Sequence, residues 1–84
     1  MDQLVLKNEL VSFLNTVTKP GFLVDGMDDD TNLVDAGIMD SLALIQIIFY
    51  LEQNHDLHLQ SLGIDPGDLA TINGIMSAIE RANA

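Results

Sequence analysis

With 84 residues, 48% of them hydrophobic and no cysteine, the chain is one domain whose core must come from packing alone. Thirteen acids against three bases leave a formal net charge of −10, which repels nucleic-acid phosphates and anionic lipid and draws basic patches on proteins. Aromatic bulk is limited to three Phe and one Tyr, so the core is aliphatic, which favours short helices over a β-sandwich.

The chain opens Met1-Asp2-Gln3-Leu4 and lacks the basic, apolar and small-residue order of a signal peptide, so a cytoplasmic location is the expectation. Leu6, Leu10, Phe13, Leu14 and Val17 share one helical face, which predicts a first helix over roughly residues 3–17. Lys19-Pro20-Gly21 stops it, because proline removes a donor and glycine permits a reversal. A long connection follows over residues 20–39, carrying Gly26, Gly37 and the acidic run Asp28-Asp29-Asp30. Phe22, Leu23, Val24, Leu33, Val34 and Ile38 are expected to pin it over the helices.

A second helix is predicted over about residues 41–53, with Asp40 or Ser41 as its cap and Asn54-His55-Asp56 as its end. Its apolar stretch from Leu42 to Leu51 is interrupted by Gln46 and falls short of the run of about 18 residues a membrane span needs. Asp65-Pro66-Gly67-Asp68 sets a cap before a proline at the first helical position, predicting one short turn through about Leu69. Thr71 caps a last helix in which Ile72, Ile75, Met76 and Ile79 share a face through about Ala82. The expected fold is an all-α four-helix bundle, with three longer helices, one short one and a long first loop, in a single domain over residues 1–84.

The chemistry concentrates in Leu33-Val34-Asp35-Ala36-Gly37-Ile38-Met39-Asp40-Ser41-Leu42, a glycine-punctuated loop that delivers a serine to the start of a helix. A serine there is ordinarily a cap. No Gly-x-Ser-x-Gly elbow or neighbouring histidine activates Ser41 as a nucleophile, so an enzyme is not expected. An unactivated serine at a helix N-terminus suits a different use. A phosphodiester attached there meets the positive end of the helix dipole and free backbone N–H groups.

Leu33-x-Asp35-x-Gly37-x-x-Asp40-Ser41-Leu42, followed by an apolar helix ending in Leu51-Glu52, resembles the attachment signature of the acyl, aminoacyl and peptidyl carrier proteins. Helix order, the long first loop and the late short turn extend the resemblance across nearly the whole chain. It implies that Ser41 receives 4′-phosphopantetheine from coenzyme A through a phosphopantetheinyl transferase, and that the arm's thiol carries a thioester. It also implies that Asp40 and Leu42 help the transferase recognise the helix start, and that the protein acts as a monomer.

On the helical wheel Leu44, Ile47, Ile48 and Leu51 share one face, assigned to the core, while Leu42, Ile45 and Phe49 fall on roughly the opposite side. A helix apolar on two faces is either wholly buried or keeps one face for a partner. Leu42, Ile45 and Phe49 are therefore candidates for a docking stripe beside the arm, unless the long loop covers them. Met39 is a further candidate contact for the arm or an enzyme, with gap-filling as its alternative. Fatty-acid carriers typically place acidic residues early in this helix, where Ala43 and Gln46 stand here. That difference points to a stand-alone carrier loaded by a cognate acid- or amino-acid-activating ligase and read by a downstream acyl-accepting enzyme. A fatty-acid-type acyl carrier, and an acidic helical adaptor without a prosthetic group, are the alternatives.

No metal site is expected. Counted from Asp28, the sixth and twelfth positions of a calcium loop hold Leu33 and Met39, so the acidic run reads as solvated loop with Asp30 or Thr31 capping a turn. His55 and His58 have nothing nearby to complete a tetrahedral set.

Overall fold

A computed structural model describes residues 3–83. The first helix, α1, spans Gln3–Val17 and buries Leu6, Leu10 and Leu14, one residue per turn of the predicted face. Phe13 and Val17, on the margin of that stripe, are half-buried. The second helix, α2, spans Ser41–His55 and buries Ala43, Ile47 and Leu51. A four-residue helix, α3, covers Leu59–Leu62, and a 3-10 helix follows over Pro66–Ala70. The last helix, α4, spans Ile72–Ala82 and buries Ile72, Ile75, Ala78 and Ile79. No strand occurs among the described residues, so the fold is an all-α bundle with three long helices.

The 3-10 helix is the hub. It packs against both α4 and α2, while α2 also touches α1 and α4. Leu10, Leu14, Ile47, Leu51, Leu69 and Ile75 are fully enclosed at this junction, each burial worth about 1.5–3 kcal/mol. The 3-10 helix and α4 are both started by caps visible in the chain. Asp65 Oδ1 accepts the Gly67 N–H at 2.9 Å with Pro66 at the first helical position, and Thr71 Oγ1 accepts the Gly74 N–H at 2.9 Å at the head of α4. Phe13 of α1 stacks on Tyr50 of α2 with ring centroids 4.1 Å apart, and burial, then the nearby Glu9 carboxylate, pushes the Tyr50 hydroxyl above its ordinary pKa.

Several expectations need correction. The second helix runs two residues past 53 and ends within Asn54-His55-Asp56 as read, because Asp56 turns into the left-handed region (φ 49°) and its N–H, with that of Leu57, closes on the Leu51 carbonyl. The helix α3 was not predicted, since Leu59-Gln60-Ser61-Leu62 is too short to show a period. Val24, Leu33 and Ile38 do anchor the long loop, but Phe22 and Leu23 stay 45% and 62% exposed and pin nothing. In the acidic run the turn-forming acceptors are Asp28, which takes the Asp30 N–H, and Asn32, which takes those of Val34 and Asp35; Asp30 and Thr31 are not the caps. Met39 is 1% exposed and fills the core, as an unbranched side chain entering an irregular gap can do. As placed, it is no part of the outer surface.

Candidate functional site

The loop before α2 is fastened from three sides, and that fastening aims Ser41. The Leu33 N–H donates to the Ala70 carbonyl of the 3-10 helix at 2.8 Å, and the Leu33 carbonyl accepts both the Ile38 and Met39 N–H groups at 3.0 and 3.1 Å. The Ile38 carbonyl in turn accepts the Lys19 N–H at 2.8 Å. Between these ties the chain reverses through Gly37 at φ 78°, a left-handed conformation that favours glycine. Leu33, Ile38 and Met39 all point into the core. The next residues, Asp40 and Ser41, emerge into solvent.

Asp40, with extended backbone (φ −115°, ψ −176°), is the N-cap of α2: its Oδ1 accepts the Ala43 N–H at 3.0 Å. Its carbonyl takes the Leu44 N–H at 3.4 Å, the first bond of the helical ladder. Ser41 is therefore the first helical residue and not the cap. Its hydroxyl has no hydrogen-bond partner among the described residues and lies exposed. The N–H groups of Ser41 and Leu42 precede the ladder and are likewise untaken within the described chain. One carboxylate thus satisfies the third amide and leaves two donors and a hydroxyl open at the positive end of a fifteen-residue helix.

A phosphodiester on Ser41 fits this arrangement. The oxygen is accessible, it is not needed for capping, and the two open amides point from the first turn where an anion is stabilised. The larger clefts lie elsewhere, for example one of about 430 Å³ lined by Ile48, Glu52, His58 and Leu59.

Along α2, the three residues singled out as a stripe are exposed together: Leu42 at 60%, Ile45 at 48% and Phe49 at 57%. The long loop does not cover them. On the inner side Ile47 and Leu51 are sealed, Leu44 and Ile48 are half-buried, and Ala43 is sealed where the wheel had not placed it. Because Ala43 faces the core, its lack of charge says nothing about the partner surface. Only the exposed Gln46 bears on that comparison. Among the described residues no cluster of His, Cys, Asp or Glu could hold a metal, and no helix is long and apolar enough to cross a membrane.

No family model matches the chain, and no solved structure matches it. Over 80 residues, covering 95% of this chain and 91% of the relative, it is 26% identical to PigG of Serratia sp. (strain ATCC 39006), a probable acyl carrier protein. The aligned stretch spans nearly the whole of both chains. Taken with an all-helical bundle that holds Asp40-Ser41-Leu42 at a helix start, this likeness supports a carrier protein family.

Proposed function

We propose that Ser41 is the attachment residue for 4′-phosphopantetheine, and that the chain carries an acyl or aminoacyl group between enzymes as a cytoplasmic monomer. The observation that supports this best is the Ser41 hydroxyl, exposed and released from capping by Asp40 at the first residue of α2. When bound, the group supplies a thiol that holds a carboxylic acid as a thioester. The protein's own part is presentation. Asp40 fixes the helix start, the buried Met39 prevents the loop from sliding, and the open amides of Ser41 and Leu42 receive the phosphate. A phosphopantetheinyl transferase brings its own base and metal, so the serine needs only to be reachable.

Leu42, Ile45 and Phe49 serve on this reading as the docking stripe for the transferase, the loading ligase and the downstream acceptor. Exposed apolar side chains clustered on one helix face favour partner contact over solvent. The first turn of α2 holds no acid, and the exposed position beyond it is Gln46, so long-range attraction has little to work with there. This favours a dedicated acid- or amino-acid-activating ligase over fatty-acid synthesis.

Incubation with coenzyme A and a broad-specificity phosphopantetheinyl transferase, followed by intact mass, tests the proposal. The protein gains the mass of one arm and Ser41→Ala does not. An unmodified wild-type protein would leave the exposed stripe as the surface of an acidic helical adaptor.

A further inference from the structure

Resting on attachment of the arm at Ser41, we infer that Lys19 is a positioning residue, the cation that holds the arm's phosphodiester at the head of α2. The chain has three Lys and Arg residues, and two are engaged. Lys7 Nζ lies 2.9 Å from both carboxylate oxygens of Asp29, and an Arg81 guanidinium N–H donates to the Leu62 carbonyl. Lys19 is the third. Its side chain is exposed and has no partner among the described residues.

Its backbone, by contrast, is held firmly, and held beside the site. The Lys19 N–H donates to Ile38, whose residue number is three below that of the serine. Three residues of chain span at most about 11 Å, so Lys19 starts within that distance of the Ser41 backbone plus one hydrogen bond. The turn that carries it is closed by the Phe22 N–H to the Lys19 carbonyl at 3.1 Å and by Thr18 Oγ1 to the Phe22 carbonyl at 2.8 Å. A fixed backbone bearing a flexible four-carbon stem can follow a phosphate hung from Ser41 Oγ.

The charge at this end of the molecule gives the lysine its task. Asp35 and Asp40, in the segment that leads to the serine, are both exposed, on a chain of net charge −10. An attached phosphodiester adds a further negative charge to that surface. His55 sits at the far end of α2, about 21 Å along the axis at 1.5 Å per residue. Arg81 binds the carbonyl of Leu62, which lies beyond that far end in the chain. Among the described residues, the groups left to answer the phosphate are the open amides of Ser41 and Leu42 and the ammonium of Lys19. An exposed pair of this kind weakens as salt rises.

Reductive methylation with isotope-labelled methyl groups keeps the charge of both lysines, and Lys7→Gln and Lys19→Gln assign their two resonances apart from that of any free N-terminal amine. Intact mass first establishes that the arm is on Ser41; without that gain, attachment itself is overturned and the inference falls with it. At low ionic strength the Lys19 methyl resonance should shift between the apo and holo forms, the Lys7 resonance should stay, and added salt should shrink the Lys19 shift. In unmethylated holo protein, Lys19→Gln should move the phosphorus resonance of the arm and Lys7→Gln should not. A Lys19 resonance identical in apo and holo protein, or a phosphorus resonance indifferent to Lys19→Gln, overturns the inference while leaving the attachment at Ser41 intact.

Discussion

Replacing Asp40 separates its two roles, holding the helix start and marking the serine for an enzyme. Asp40→Ala removes the side-chain acceptor of the Ala43 N–H and leaves that amide, in the partly buried first turn, only its 3.1 Å bond to the residue 40 backbone carbonyl. Loss of an N-cap acceptor costs about 1 kcal/mol, within a range of roughly 0.5–2. For a domain of this size about 1 kcal/mol lowers Tm by about 4–8 °C. Asp40→Asn keeps the hydrogen bond, since asparagine caps about as well, and gives up only the interaction of a full charge with the helix dipole, about 0.3–1 kcal/mol. Thermal melts followed by circular dichroism should therefore rank wild type, then Asn, then Ala. Modification by the transferase, measured below the Tm of every variant, should fall in both variants if the carboxylate is recognised, and only in Asp40→Ala if capping alone matters. An Asp40→Ala melt indistinguishable from wild type would refute the capping assignment, and with it the account of why Ser41 is free.

Phe49→Ala removes a 57% exposed ring, so stability should change by no more than about 0.5 kcal/mol while the rate of loading by the cognate ligase falls; unchanged loading kinetics would remove Phe49 from the docking stripe. The raised Tyr50 pKa means the folded chain keeps its phenolic proton after the unfolded chain has lost it, so stability should decline as pH rises above about 10. Tyr50→Phe should flatten that decline in denaturant titrations, and an equally steep loss in the variant would assign the alkaline unfolding to other groups. Gly74→Ala places a Cβ 1.8 Å from the Asp68 carbonyl oxygen, so backbone must move. Melts should show it destabilised by about 1–3 kcal/mol even though alanine is the better helix former by about 1.

The parts of the fold legible in the sequence were those written in periodicity and end signals. The α1 face, the proline-led 3-10 turn and the Thr71 cap each depend on residues close in the chain, and the structure places them as read. The opposition of Leu42, Ile45 and Phe49 to Ile47 and Leu51 was legible for the same reason: a 3.6-residue period fixes relative direction whatever the surroundings. The helix α3 was not, because four residues carry no period and His58, at its cap position, makes no side-chain capping bond.

What stayed hidden depends on neighbours distant in the chain. Nothing in Phe22-Leu23-Val24 says that Val24 alone turns inward; that follows from the Asn15 side-chain carbonyl of α1, which accepts the Val24 N–H at 2.8 Å. Likewise Asp40 and Ser41 are equally plausible caps on composition, and what selects Asp40 is upstream. Leu33 gathers the Ile38 and Met39 amides onto its own carbonyl while its N–H is taken by Ala70 of the 3-10 helix, and Met39 is drawn into the core. The register of that loop sets which residue caps and which is the first of the helix. A long-range tie from a helix some thirty residues later thus decides that the carboxylate turns to the Ala43 amide and the hydroxyl is left to solvent. The local motif names the residues; the tertiary tie assigns their tasks.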